Sequence, residues 1–313
     1  IGLWIINFAG HPPVVLQRER IYLLTLLPSG AFACVSSAFC AYFSGYSKTW
    51  NVAIINLFVC ILNVFLDYVM IFGKLGFPRW GIAGAGIATS ISSATGTIIV
   101  FIWFLALDQN KFPTRKNREF SFCDIRRLLN FGTPAGLQCF LDVGAFTMVC
   151  FLIGKIDKEA MAVTTIAISI NMLSFLPLLG LSDATGIVVG QYIGRSRHDI
   201  SEKVAYRAWR MASLYMIFAG LFFILFPEFL LSNFSPSPIN NPENSYLLKT
   251  GKIILICAAI FNFFDATKFI FMGALRGAGD TRMLMLICVS AAWFIMVPGV
   301  LLLVFFYKAS VIG

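Results

Sequence analysis

Long apolar runs separated by short polar segments recur along the whole chain. Eight of these runs are long enough to cross a bilayer, which takes about 20 predominantly apolar residues. They cover Ile21–Tyr46, Trp50–Phe72, Gly81–Leu107, Ile125–Ile153, Ala160–Ile193, Ala205–Phe226, Leu247–Gly273 and Leu284–Phe306. The pattern therefore predicts an all-α, polytopic membrane protein with about eight full transmembrane helices.

A ninth apolar run, Ile1–Ala9, is too short to cross a bilayer. We interpret it as the end of a further, partial helix at the N-terminus. The chain begins with Ile1 rather than Met, and it ends shortly after the last apolar run. We therefore expect a chain that is truncated at both ends.

Composition agrees with a membrane protein and excludes several other classes. Of the 313 residues, 58% are hydrophobic and only 12% are charged, whereas soluble domains carry about 25% charged residues. The net charge of +9 does not indicate nucleic-acid binding, because Lys and Arg lie in short segments between apolar runs. The eight cysteines show no CxxC or Cys/His spacing, so we expect no disulfide framework and no metal cluster.

The most polar stretch, Asp108–Arg127, divides the chain into two halves. We predict an incomplete amino-terminal helical bundle over residues 1–107, a cytoplasmic basic linker over 108–127, and a carboxyl-terminal bundle over 128–313. With this linker in the cytoplasm, 14 Lys and Arg residues lie on the inner side and 9 on the outer side, the expected direction of bias.

A weak internal repeat supports two related halves. Phe43–Thr49 aligns with Leu275–Thr281, and in both places a span ends, a glycine turns the chain and a threonine follows. The repeat predicts that Thr49 and Thr281 cap the next helix. Repeated halves with sites near the bilayer midplane are typical of secondary transporters.

Three carboxylates, Asp67, Asp142 and Asp265, lie well inside predicted spans. An acid inside a bilayer costs several kcal/mol unless it is hydrated or paired, so each is a candidate functional residue. Asn63 precedes Asp67 by one helical turn. The structural alternative is a bond to a nearby hydroxyl or backbone group, and Lys268 offers Asp265 an ion pair at i,i+3. For Asp183, a solvated or capping role is equally open.

Small residues and prolines shape the predicted helices. The third span carries Gly84, Ala88, Ser92 and Gly96 at every fourth position, a face on which another helix packs closely. Prolines at 134, 177 and 298 each remove a backbone hydrogen bond inside a span. Such helices can bend, and Pro134 lies eight residues before Asp142.

Five segments together resemble the MATE family of multidrug and toxin extrusion transporters. They are LNVFLDYVMIFG (62–73), GIAGAGIATSIS (81–92), FGTPAGLQCFLD (131–142), LPLLGLSDATGIVVGQYIGR (176–195) and GALRGAGDT (273–281). The resemblance implies two six-helix bundles, of which this chain would contain the end of the third helix through the eleventh.

The resemblance also implies roles for particular residues. Asp67 and Asn63 match the family's amino-lobe polar cluster, with Thr89 as a companion from the next helix. That cluster also uses an acid on the first helix, which the expected truncation removes. Asp142 and Asp265 match the acids of the seventh and tenth helices, where Na⁺ or H⁺ binding is implied.

We therefore expect a Na⁺- or H⁺-coupled antiporter of the plasma membrane that extrudes cationic or amphipathic small molecules by alternating access. We expect a monomer without a cofactor and without a nucleic-acid partner. The alternatives are a lipid-linked oligosaccharide flippase of the same superfamily and a non-functional fragment. An intramembrane enzyme is disfavoured because the chain has neither HExxH nor a GxGD motif inside a span.

Overall fold

The computed structural model describes residues 13–106, 121–156, 158–234 and 244–305, and the regular structure in these residues is helical. The helices are α1 (Pro13–Gly45), α2 (Thr49–Phe72), α3 (Ile82–Leu105), α4 (Phe122–Ile156), α5 (Lys158–Gly194), α6 (His198–Leu225), α7 (Pro227–Phe234), α8 (Asn244–Ala278), α9 (Thr281–Ser290), a π-helical segment (Ala291–Met296) and α10 (Val297–Phe305). The all-α prediction is confirmed. The predicted partial helix Ile1–Ala9 and residues 107–120, which include most of the predicted linker, lie outside the described residues.

Seven helical stretches in the described part of the chain are long and apolar enough to cross a membrane. They correspond to seven of the eight predicted spans. The eighth, α4, is not among them. It begins at Phe122, inside the predicted linker, because Ser121 caps it: the Asp124 backbone N–H donates to Ser121 Oγ at 3.4 Å. Asp124 in the first turn also complements the positive end of the helix dipole.

The predicted loop Pro227–Asn244 contains a short helix, α7, over Pro227–Phe234. Proline at the first position of a helix is favourable, because the N–H that it lacks has no partner there. Lys252 of α8 donates to Glu228 Oε1 at 2.6 Å and so ties α7 to α8. This hydrogen bond and the charge of Lys252 hold the pKa of Glu228 below its usual range.

The predicted threonine caps are wrong at both positions. α2 has no side-chain cap, since Lys48 precedes it without such a bond. α9 is capped by Asp280, which accepts a hydrogen bond from the Met283 backbone N–H at 3.4 Å. The Thr281 hydroxyl instead donates to the Phe131 carbonyl of α4 at 3.0 Å. Thr281 therefore makes a tertiary contact with α4 instead of the helix cap that the local sequence pattern predicts.

The chain divides into two compact units, Ile1–Phe120 and Ser121–Gly313. In the first unit, α3 packs between α1 and α2. A Cβ on Gly84 would lie 2.8 Å from the Met70 carbonyl oxygen of α2. On α1, the backbone carbonyls of Thr25 and Phe32 accept hydrogen bonds from Ser90 and Thr97. The predicted small-residue face is confirmed, because all four of its residues are buried.

In the second unit, α5 and α8 run parallel at very short separation. Ser182 Oγ donates to the Phe269 carbonyl at 2.6 Å, across 87 residues of sequence. Further along, a Cβ on Gly273 would lie only 2.2 Å from the Ser182 carbonyl oxygen. α6 packs against both helices, and α4 packs mainly against α9 and less extensively against α5 and α10.

The last predicted span is divided by its π-helical segment into α9 and α10. Pro298 lies two residues after the end of this segment, at the second position of α10. A proline inside a helix lacks a hydrogen-bond donor, and its ring clashes with the carbonyl one turn earlier. The wider π-helical turn before Pro298 relieves this clash. The change in helix geometry that the proline predicts is therefore a π-helical segment.

We predict that Gly273→Ala destabilises the second unit, because its Cβ would meet the Ser182 backbone. Overpacking of this kind costs about 1–3 kcal/mol. The matched control is Gly180→Ala in α5, where a Cβ would meet no atom within 4 Å. Thermal unfolding in detergent should show a lower midpoint for Gly273→Ala alone. Equal midpoints for the two variants would contradict the close packing.

Candidate functional site

A polar cluster joins α2 and α3 in the first unit. Asn63 Nδ2 donates to Ser92 Oγ at 3.2 Å and to Thr89 Oγ1 at 3.4 Å. Both hydroxyls donate in turn to carbonyls one turn earlier, those of Ala85 and Ala88, each at 2.9 Å. Their oxygens are therefore free to accept from the amide. The structure brings Asn63 and Thr89 together as the sequence suggested, and it adds Ser92.

Asp67 lies one turn beyond Asn63 on the same helix and is half-buried. Its Oδ1 is buried and has no hydrogen-bond partner in the described part of the chain. The Asn63 amide hydrogens are directed to the two hydroxyls rather than to this carboxylate. A buried carboxylate oxygen without donors is costly, so Asp67 presents an acceptor that a proton, a cation or water can satisfy.

In the second unit, Asp142 on α4 is half-buried and lies beside Gln138, one turn earlier. Gln138 is fully buried. Its Nε2 lies 3.5 Å from Asp142 Oδ2 and 3.4 Å from Met272 Sδ of α8. Its Oε1 has no hydrogen-bond partner among the described residues. The Gln138 amide therefore places a donor, Nε2, against Asp142. Its oxygen, Oε1, is a buried acceptor without a partner among the described residues.

The π-helical segment contacts α4 next to Asp142. Trp293 Nε1 donates to the Leu141 carbonyl at 3.3 Å. The indole also lies against Gly144, where its Cζ2 would be 3.8 Å from an added Cβ. Trp293 therefore holds the backbone on both sides of Asp142 against the last helix.

Asp265 on α8 is half-buried, and no ion pair joins it to Lys268 in the described residues. Lys268 is exposed, and its Nζ lies 5.2 Å from the centroid of the Phe269 ring. The structure therefore shows no direct ion pair at i,i+3 between these described residues, although Lys268 lies close enough to Asp265 to interact with it electrostatically. One turn before Asp265, Asn262 is 1% exposed, and neither Nδ2 nor Oδ1 has a partner among the described residues.

The structure does not join Asp142 and Asp265 by a direct contact in its described part. The amide of Gln138 reaches α8 at Met272, two turns beyond Asp265. The described residues contain no group of three or more His, Cys, Asp or Glu side chains arranged to hold a metal ion. A sodium ion at either acid would have to take other oxygens, of which Gln138 Oε1 and Asn262 Oδ1 are unpaired. Asp183 is exposed in the middle of α5 and caps no helix.

Gln138 and the role of Ser92 in the polar cluster are not among the features predicted from the sequence, although both residues follow a simple spacing. Gln138 precedes Asp142 by four residues, and Ser92 follows Thr89 by three. Residues at these spacings share a helix face. The signal that identifies both residues is an amide or hydroxyl one helical turn from a candidate residue inside a span. The Trp293 contact had no such signal, because it joins residues 152 apart.

Comparison with known proteins gives a consistent result. The MatE family model matches residues 134–302, just over half of the chain. The probable multidrug resistance protein NorM of Mesorhizobium japonicum is 32% identical and aligns with 100% of this chain and 68% of its own length. The NorM protein of Thermotoga maritima is 28% identical, with 95% of this chain and 62% of the relative covered. The chain thus spans about two thirds of the length of these relatives.

Solved structures show the same fold. One reported as an outward-facing multidrug resistance MATE family transporter of the MOP superfamily has a TM-score of 0.84 at 19% identity. The match covers 96% of this chain and 65% of that structure.

We predict that Asn63→Leu destabilises the first unit, because the variant loses both hydrogen bonds to α3. Such interhelical bonds contribute about 0.6 kcal/mol on average and up to about 1.7. The control is Asn56→Leu on the same helix, since Asn56 is exposed. Thermal unfolding should give a lower midpoint for Asn63→Leu than for Asn56→Leu. If Asn56→Leu is the more damaging change, the cluster does not stabilise the α2–α3 contact.

Proposed function

Because this chain belongs to the MatE family, the multidrug and toxin extrusion transporters, we propose that it acts in ion-coupled antiport of organic cations. It is a multi-pass protein of the plasma membrane with seven described helices suited to span it. The proposal covers the coupling ion, Na⁺ or H⁺, the cationic or amphipathic drug substrates, and action as a monomer. The observation that carries it is the pair of half-buried acids, Asp67 and Asp265, neither of which forms an ion pair with a described residue.

Each acid fits the requirement of antiport. An exchanger needs a group near the membrane midplane that the coupling ion and the substrate bind in turn. A carboxylate does this, because an ionised acid in a bilayer is costly until a proton or cation joins it. A hydrogen-bond donor or cation of the protein that paired permanently with the acid would prevent the coupling ion and the substrate from competing for it. Asp67 Oδ1 has no such partner among the described residues.

In the second unit, we assign ion binding to Asp142 and Asp265. Gln138 would orient Asp142 by donating its amide hydrogen, and Trp293 would hold the adjoining backbone. Sodium is a hard cation that takes oxygen ligands, as Ca²⁺ and Mg²⁺ do. The unpaired oxygens of Gln138 and Asn262 are therefore suitable additional ligands. Because the two acids make no direct contact in the described structure, they would bind ions separately or after a helix movement.

In the first unit, we assign proton or cation binding to Asp67. Asn63, Thr89 and Ser92 form a hydrogen-bonded set next to it. Their hydrogens are already directed elsewhere, so this set shapes the site without neutralising the acid. Protonation of Asp67 would remove the charge to which a cationic substrate binds. Uptake of a proton and release of the substrate would then be coupled.

The charges inside the spans disfavour the flippase alternative. A pyrophosphate-linked substrate requires a cationic interior. The candidate residues here are acids, and the lysine near them, Lys268, is exposed.

We predict that Asp265→Asn and Asp67→Asn each lower transport of a fluorescent organic cation into proteoliposomes. Loss of one charged ligand is worth about 1.5–3 kcal/mol, so the initial rate should fall about tenfold or more. The control is Asp183→Asn, which makes the same charge change at an exposed position. Applying a Na⁺ gradient alone and a pH gradient alone identifies the coupling ion.

The assignment fails if both variants transport at the rate of the unaltered chain. It also fails if Asp183→Asn is as damaging as either of them. Circular dichroism and elution on gel filtration verify that all three variants are folded before their rates are compared.

A further inference from the structure

Two arginines that are far apart in the sequence line one cavity at the ends of α4 and α9. Arg126 lies in the second turn of α4, and Arg282 is the second residue of α9. The two helix ends are held together by the Thr281 hydroxyl, which donates to the Phe131 carbonyl at 3.0 Å. The cavity has a volume of about 370 Å³, within the range of small-molecule sites.

Among the described residues, the lining of this cavity is rich in hydrogen-bond donors and contains no acid. It consists of Arg126, Leu129, Asn130, Thr133, Pro134 and Arg282. Arg282 donates through Nη2 to Asn130 Oδ1, which leaves the Asn130 amide hydrogens available. In the described part of the chain, neither arginine forms an ion pair with a carboxylate. Two guanidinium groups and an amide therefore converge without a negative partner.

Thr133 adds a further donor. Threonines elsewhere in the chain direct their hydroxyls to the carbonyl four residues earlier, as Thr147 of α4 and Thr89 of α3 do. The structure records no such bond for Thr133 among the described residues. Its hydroxyl is therefore available to a ligand in the cavity.

We propose that this cavity binds a phosphate group, and that an anionic phospholipid headgroup is its source. Arginine recognises phosphate oxygens through paired N–H donors, and basic pockets between membrane helices bind anionic headgroups. Leu129 lines the same cavity and is 59% exposed, so an acyl chain attached to the phosphate can lie against α4. A free phosphate ion would not use this apolar surface.

The location of the two arginines suits a headgroup. Both belong to the ends of their helices, where the chain reaches the membrane surface. The charge bias of the loops predicts that both lie on the cytoplasmic side. The surface of that leaflet carries anionic lipids that attract Lys and Arg. The proposed site is separate from the candidate transport acids and does not depend on the proposed function.

The test measures binding of three probes to the purified chain in a neutral detergent. The probes are a short-chain phosphatidylglycerol, the matching phosphatidylcholine and inorganic phosphate. Arg126→Gln and Arg282→Gln should each weaken phosphatidylglycerol binding about fivefold, which corresponds to about 1 kcal/mol for each basic residue. The control is Arg127→Gln, which makes the same charge change at the next residue, outside the cavity lining. It should change binding less than twofold.

Phosphatidylcholine and inorganic phosphate should bind much more weakly than phosphatidylglycerol. If inorganic phosphate binds as tightly, with the same dependence on both arginines, the phosphate site stands and the lipid is not its source. The proposal is overturned if Arg127→Gln weakens binding as much as Arg126→Gln does, or if phosphatidylcholine binds as well as phosphatidylglycerol. Arg282→Lys, which keeps the charge but loses the paired donors, should fall between the unaltered chain and Arg282→Gln. The Arg126 result stands even if Arg282 variants fold poorly.

Discussion

A polar group inside a membrane must find its partner within the protein, and both units of this chain are built around that constraint. Serine and threonine hydroxyls in α3 donate to carbonyls of their own helix or of α1, so they need no water. Small residues let the helices approach closely enough for these bonds. The constraint is not met at several buried oxygens, which have no hydrogen-bond partner among the described residues. Those of Asp67, Gln138 and Asn262 belong to a candidate acid or to an amide one turn from one.

The three residues belong to pairs whose members are one helical turn apart in the sequence. In each unit, an amide lies one turn from an acid: Asn63 before Asp67, Gln138 before Asp142, and Asn262 before Asp265. The amides of Asn63 and Gln138 connect their helix to a neighbouring one. Asn262 makes no such bond among the described residues, and Gln138 also donates to Asp142 itself. At Asn63 and Asp67, the amide fixes the helix while the acid remains available for a mobile ion. This division of roles is the physical basis of the proposed antiport.

Much of this was accessible from the sequence. Hydropathy predicted the spans, the cost of a buried charge selected Asp67, Asp142 and Asp265, and the spacing of small residues predicted the packing face of α3. Features that depend on tertiary contacts were missed. The Thr281 hydroxyl reaches α4 rather than capping α9, and Gln138 meets Met272 across 134 residues. A single sequence without structure contains no local signal for such pairs.

The most direct test of the central claim is equilibrium competition between ion and substrate on the purified chain. Binding of a fluorescent organic cation is titrated at increasing Na⁺ concentration and, separately, at decreasing pH. Since coupling is reciprocal, the apparent Kd should rise along one of these series, and Asp265→Asn or Asp67→Asn should abolish the rise. A Kd that stays constant across both series would contradict the account.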